Sequence, residues 1–143
     1  MHWYEAVVTE TDNGSWEITV PEFPELKILA GDKGRAFSNA EQALVSAVKQ
    51  RISQRQSFGL PRSDYAGLRS SVNVGNLHYL KICLYLAMLR QKLDMPRLAR
   101  MIDTKEQQIE RLLDMHHNSH LDNLDTALRA VGIHYEIQIS YRS

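Results

Sequence analysis

The sequence predicts an α+β fold in two modules, a short antiparallel sheet carrying one helix, then a helical unit that ends in a strand. Three observations predict it. Apolar residues alternate with polar ones on either side of an Asn13-Gly14 turn. From Ala36 the apolar spacing changes to three and four residues. Farther on, residues 95–113 pair two short amphipathic segments across a four-residue turn.

The first module opens with a hairpin. Val7 and Val8 lie in the run 4–11, and Asp12-Asn13-Gly14-Ser15 supplies turn chemistry, because Asn-Gly accepts the positive φ that hairpin turns require. Trp16, Ile18 and Val20 then alternate with Glu17 and Thr19, giving one apolar and one polar face. Residues 21–25, Pro-Glu-Phe-Pro-Glu, read as irregular, with a third strand over 26–30. Ala36, Phe37, Ala40, Ala43, Leu44, Ala47, Val48 and Ile52 form the stripe of an amphipathic helix that Asp32 can cap. Its alanines permit close approach to a sheet. Residues 54–71 carry Ser, Gly and Pro without period and read as a loose linker, followed by a short strand at 72–74.

The second module is helical. Residues 77–93 are apolar around most of the circumference, which implies a helix buried on several sides or shared between chains. A short helix over 96–102 follows, with Asp94 as cap and Pro96 in its first turn. Another covers 105–115. Ser119-His120-Leu121-Asp122 reads as a capping box that opens a helix with Leu121, Leu124, Leu128 and Val131 inward, stopped by Gly132. Finally Ile133, Tyr135, Ile137 and Ile139 alternate with His134, Glu136, Gln138 and Ser140, the period of a strand over 133–140. The domain boundaries that follow are 1–56, a linker and short strand at 57–74, and 75–143.

Residues 95–113, MPRLARMIDTKEQQIERLL, carry the sharpest functional signal. A helix-turn-helix needs a small core at a steep crossing and a second helix free to enter the major groove. Leu98 and Ile102, with Ala99 at the close approach, suit the first helix; Ile109, Leu112 and Leu113 anchor the second. Gln107, Gln108 and Arg111 remain to read base edges, since glutamine and arginine can bond adenine and guanine bidentately. Lys105 and Arg97 are placed for phosphates. Asp103 stands where such turns often have glycine.

Charge restricts the partners. The chain is neutral overall, with 17 basic and 17 acidic side chains. Residues 1–32 hold seven acidic groups against Lys27, a net of −6, whereas 33–71 hold seven basic against two acidic, a net of +5. Nucleic-acid contact must therefore come from a local basic face, and the acidic N-terminal segment suits a basic partner. Glu22, Phe23 and Glu25, in the acidic loop, are the candidate partner contacts. The lone Cys83 forms no disulfide within the chain and reads as a buried small hydrophobe in a cytoplasmic protein. No apolar run is long enough to span a bilayer, and the first residues lack the layout of a secretory signal. His116 and His120 stand four apart but precede the capping box with no cysteine nearby, so no metal site and no cofactor is expected.

The whole order of parts resembles the HicB family of antitoxins. In the N-terminal half the resemblance rests on Trp16-Glu17-Ile18-Thr19-Val20-Pro21-Glu22-Phe23-Pro24, Gly31-Asp32 and the alanine-rich helix over 36–47. In the C-terminal half it rests on Lys81-Ile82-Cys83-Leu84-Tyr85, Arg97-Leu98-Ala99-Arg100, Ile109-Glu110-Arg111-Leu112-Leu113, His117, Leu121-Asp122 and Ala127-Leu128-x-Ala130-x-Gly132. Glu25, where the family commonly has glycine, and Asp103 are departures. The resemblance implies a degenerate ribonuclease-H-like N-terminal domain that covers a small RNA-cleaving HicA toxin. It also implies a C-terminal domain that dimerises, or forms a higher homo-oligomer, and represses the pair's own operon on double-stranded DNA. A ribonuclease-H-type enzyme needs carboxylates converging on two metal ions, whereas these acids fall at strand-polar and turn positions, so no catalytic role is expected. The competing reading is a stand-alone helix-turn-helix regulator with a different N-terminal ligand.

Overall fold

The computed structural model describes residues 1–64 and 70–141. It is a mixed α+β fold in the order β1 (His2–Glu5), β2 (Val7–Glu10), β3 (Trp16–Val20), β4 (Phe23–Ala30), α1 (Lys33–Ser53), β5 (Ser71–Val74), α2 (Asn76–Arg90), α3 (Met95–Met101), α4 (Glu106–Leu113) and α5 (Leu121–Ala130).

The first predicted strand divides at Ala6. β1 pairs antiparallel with β5, and beyond Ala6 the chain turns its pairing to β3, so that β2, β3 and β4 form a meander. The hairpin turn is closed by Thr11 N donating to Ser15 O at 2.7 Å, with Gly14 at φ +84°. The segment predicted to be irregular is instead a tight connection. β4 begins at Phe23, paired with Val20 after a register shift at Thr19/Val20. Pro24 is accommodated because β4 pairs only with β3, leaving an edge where a missing N–H costs nothing.

α1 lies across β3, β4 and β5. Asp32 caps it as predicted, its Oδ1 accepting from Arg35 N at 2.8 Å. Ala36, Ala40, Leu44 and Val48, four apart, are buried against the sheet. The part of the predicted linker within the described residues is irregular but tied down: Phe58 is buried, Tyr4 OH donates to Gly59 O at 2.7 Å, and Arg62 exchanges both backbone hydrogen bonds with Trp3. Residues 65–69 of that stretch lie outside the described residues.

α2 explains its own all-round apolarity. Ile82 and Tyr85 belong to the core under the sheet, while Leu84, Ala87 and Met88 belong to a second core with α3, α4 and α5. α5 ends in a Schellman turn, Ile133 N donating to Leu128 O at 2.9 Å and Gly132 N to Arg129 O at 3.0 Å around Gly132 at φ +86°.

Three expectations at this end need correction. Ser119 does not cap α5; the N-cap is His120, without a side-chain bond, because the Ser119 hydroxyl is taken by Lys81. Leu121 is 42% exposed and outside the core. Residues 133–141 form no strand: Ile133 and Tyr135 pack on the second core, whereas Ile137 and Ile139 are 67% and 76% exposed and pair with no strand among the described residues.

Candidate nucleic-acid interface

α3 starts at Asp94, whose Oδ1 accepts from Arg97 N at 2.9 Å, with Pro96 in the first turn where no helical N–H is needed. It ends in the same hydrogen-bond pattern as α5: Thr104 N donates to Ala99 O at 2.9 Å and Asp103 N to Arg100 O at 3.3 Å. Asp103 occupies the left-handed position at φ +53°. Aspartate is among the side chains that visit this region, so the turn forms without glycine at some backbone cost.

The turn delivers α4 across α3. Leu98 and Ala99 on α3 and Ile109 and Leu112 on α4 are buried together, as the sequence predicts; Ile102 and Leu113 are only half-buried. On the opposite side Lys105, Gln107 and Arg111 are exposed and Gln108 is half-buried. These four, with Asp103 and Thr104, line one open concavity along α4. Arg97 is also exposed but lies on α3, apart from that concavity, as does Arg100, an exposed cation that the sequence reading did not single out. A polar, donor-rich face on a short helix backed by a rigid apolar core is what groove reading requires.

The N-terminal candidates are less uniform. Glu22 is exposed, its carboxylate accepting a hydrogen bond from Gly59 N. Glu25 holds Arg51 with both oxygens, at 3.0 Å from Nε and 2.9 Å from Nη2, and the guanidinium keeps its carboxyl below the usual carboxylate range. Phe23, predicted as a contact, is instead fully buried, edge-on to Tyr4 at 5.2 Å and beside Phe58 at 5.4 Å, with the Arg51 guanidinium over its ring. An aromatic between two prolines reads as loop, but the tight Val20–Phe23 connection turns it inward. The polar face of the meander carries Val7, Thr19 and Lys27 in one cross-strand row and Thr9, Glu17 and Leu29 in the next. Val7 and Leu29 on this face are 50% and 61% exposed.

Three of the six histidines are tied to the α4–α5 loop. His78 Nε2 lies 2.9 Å from Met115 O, His117 Nδ1 3.1 Å from Ser119 Oγ, and His116 Nδ1 3.2 Å from Lys49 Nζ. Among the described residues no group of three or more His, Cys, Asp or Glu side chains could hold a metal ion. Burial pushes the Cys83 thiol up, away from a reactive thiolate. Among the described residues no helix is long and apolar enough to cross a membrane.

Residues 3–83, from β1 into α2, match a family described as HicB-like antitoxins of bacterial toxin–antitoxin systems. The match spans more than half of the chain. The chain belongs to the HicB-like antitoxin family. Its relatives agree. It is 27% identical over 128 residues to "Antitoxin HicB 2" of Photorhabdus laumondii, covering 90% of each chain. It is 27% identical over 130 residues to "Antitoxin HicB" of Pseudomonas fluorescens, covering 89% of this chain and 87% of that one. A second Photorhabdus protein, "Antitoxin HicB 1", is 24% identical over 132 residues. Membership makes the chain an antitoxin against a cognate toxin, a binding protein and not an enzyme.

Proposed function

We propose that the antitoxin neutralises a small, basic, mRNA-cleaving toxin of the HicA type with its N-terminal half and represses its own operon with its C-terminal half. The observation that carries the second role is the α3–α4 unit, with its Asp103 turn, its buried Leu98–Ile109 contact and its exposed Lys105, Gln107 and Arg111. In this reading residues 1–56 are a degenerate ribonuclease-H-like fold, 57–74 the connection, and 75–143 the DNA-binding and dimerising part, all in the cytoplasm. Support for the first role is the family, together with the net charge of −6 over residues 1–32 and the uncovered face of the meander beside Glu22 and Glu25. Opposite fields speed encounter and fix orientation with a cationic partner.

The DNA role is tested on a duplex from the region upstream of the operon beside a scrambled duplex, at two salt concentrations. Gln107→Ala and Arg111→Ala should each cost about 1–3 kcal/mol of preference for the operator. Lys105→Ala should weaken both duplexes alike and reduce the salt slope by about one. Equal, salt-labile binding of the wild type to both duplexes would refute operator reading.

The exposed tail supplies the dimer. Ile137, Ile139 and the backbone around them are suited to pair with the same segment of a second copy, which would bury them and provide the two-fold axis that palindromic operators need. Removing residues 133–143 should convert the oligomer to monomers in sedimentation; an oligomer unchanged by the deletion would rule out the tail.

A further inference from the structure

Lys81 stands in the middle of α2, on a helix otherwise given over to two apolar cores, and none of its surface reaches solvent. An ammonium group is buried at great cost unless every proton finds an acceptor. Here each does. Nζ donates to Arg111 O at 2.9 Å, to Asp114 O at 2.8 Å and to Ser119 Oγ at 2.8 Å.

None of these partners is a carboxylate. The Asp114 side chain is turned away, accepting from His116 N at 2.9 Å with Lys49 Nζ at 3.6 Å. Two of the acceptors are carbonyls at the C-terminal end of α4, where the helix dipole is negative; each also accepts one backbone N–H, Arg111 O from Asp114 N at 3.2 Å and Asp114 O from His117 N at 3.1 Å, and keeps a second lone pair for Lys81. The third is the hydroxyl that was expected to cap α5. Burial pushes the Lys81 pKa down to about 8, with Asp114 opposing, so the ammonium is the main form at neutral pH.

α4 needs such a hold. It has eight residues and no side-chain cap at its N-terminus, so its placement rests on Ile109, Leu112 and the Lys81 bonds. The carbonyl that Lys81 grips belongs to Arg111, whose guanidinium is assigned above to a base edge.

We propose that Lys81 is the positioning residue of the DNA-reading helix, fixing the end of α4 and the Asp114–Ser119 loop to α2 and thereby setting where Arg111 stands in the groove. The proposal rests on the helix-turn-helix reading.

The test uses the full chain carrying Lys81→Met, which keeps side-chain length and removes charge and donors, and Ser119→Ala, which removes one of the Lys81 acceptors together with the hydroxyl's own 3.3 Å bond to Arg111 O. Segment-resolved amide hydrogen exchange and operator titration are read together. In K81M exchange over 112–119 should rise about tenfold or more and operator affinity fall by about the same factor, with three hydrogen bonds from a buried ammonium lost. The salt slope should stay that of the wild type, because Lys81 neutralises no phosphate. Ser119→Ala should move both readouts the same way by a smaller factor. It decides the matter if K81M fails to fold. Wild-type exchange at 112–119 in both variants, with operator affinity retained, overturns the positioning role and leaves the DNA reading intact. A wild-type chain with no operator preference overturns the DNA reading, and with it this role.

Discussion

Phe23→Ala is expected to destabilise the chain by about 3–5 kcal/mol, the range for removing a buried aromatic, and to abolish toxin capture at growth temperature. The ring is wholly inside, in contact with Tyr4 and Phe58 and under the Arg51 guanidinium. Each neighbour comes from a different element: β1, the connection after α1, and α1 itself. Deleting the ring leaves a cavity that these cannot close together, because Tyr4 is held by Gly59 O and Arg51 by Glu25. Stability of a domain this size is about 5–15 kcal/mol, so the loss takes a large share of it. Denaturant unfolding followed by tryptophan fluorescence checks this directly, since Trp3 lies in β1 beside Tyr4 and Trp16 in β3, the strand paired with that of Phe23. A loss below about 1 kcal/mol would mean that Phe23 is a surface contact after all, as the sequence had implied.

The difference between what was legible and what was not follows the range of the interaction. The Asn13-Gly14 turn, the Asp32 and Asp94 caps and the Gly132 stop depend on neighbours within a few residues, and all appear in the structure. So does the α3–α4 unit, whose core is built from residues 98–112. Where sequence reasoning failed, a distant partner decided. Ser119-x-x-Asp122 fits a capping box, but a lysine 38 positions earlier takes the hydroxyl. Phe23 looks like loop because its local company is proline and glutamate, while its true company is Tyr4 and Phe58. The role of Lys81 lies in acceptors 30 to 38 positions away, and its one local signal is a single charge within an apolar run. The tail shows the reverse case: strand periodicity is present over 133–140, but one chain offers it no ladder.

Ile109→Ala should remove about 2–5 kcal/mol from the second core and move the unfolding of the sheet with it. Ile109 has no exposed surface and anchors α4 beside Leu98, Leu112 and Leu124. Its loss frees α4, so the proposed operator binding should disappear even though no exposed polar group of α4 has changed. The effect should not stop there. α2 gives Ile82 and Tyr85 to one core and Leu84, Ala87 and Met88 to the other, and Leu113 packs against both. Tyr85 OH further donates to Gln56 O at 2.7 Å, in the connection after α1. A helix with both faces committed cannot leave one core without disturbing the other, so the two halves should unfold as one cooperative unit. Tryptophan fluorescence reports only the N-terminal strands β1 and β3, whereas far-UV circular dichroism is dominated by the five helices among the described residues. Coincident transitions in the wild type, both shifted to lower denaturant by I109A, are the expected result. A helical transition that moves while the tryptophan transition stays in place would show that α2 is anchored by the N-terminal core alone, and that the proposed DNA-binding unit can unfold without cost to the antitoxin half.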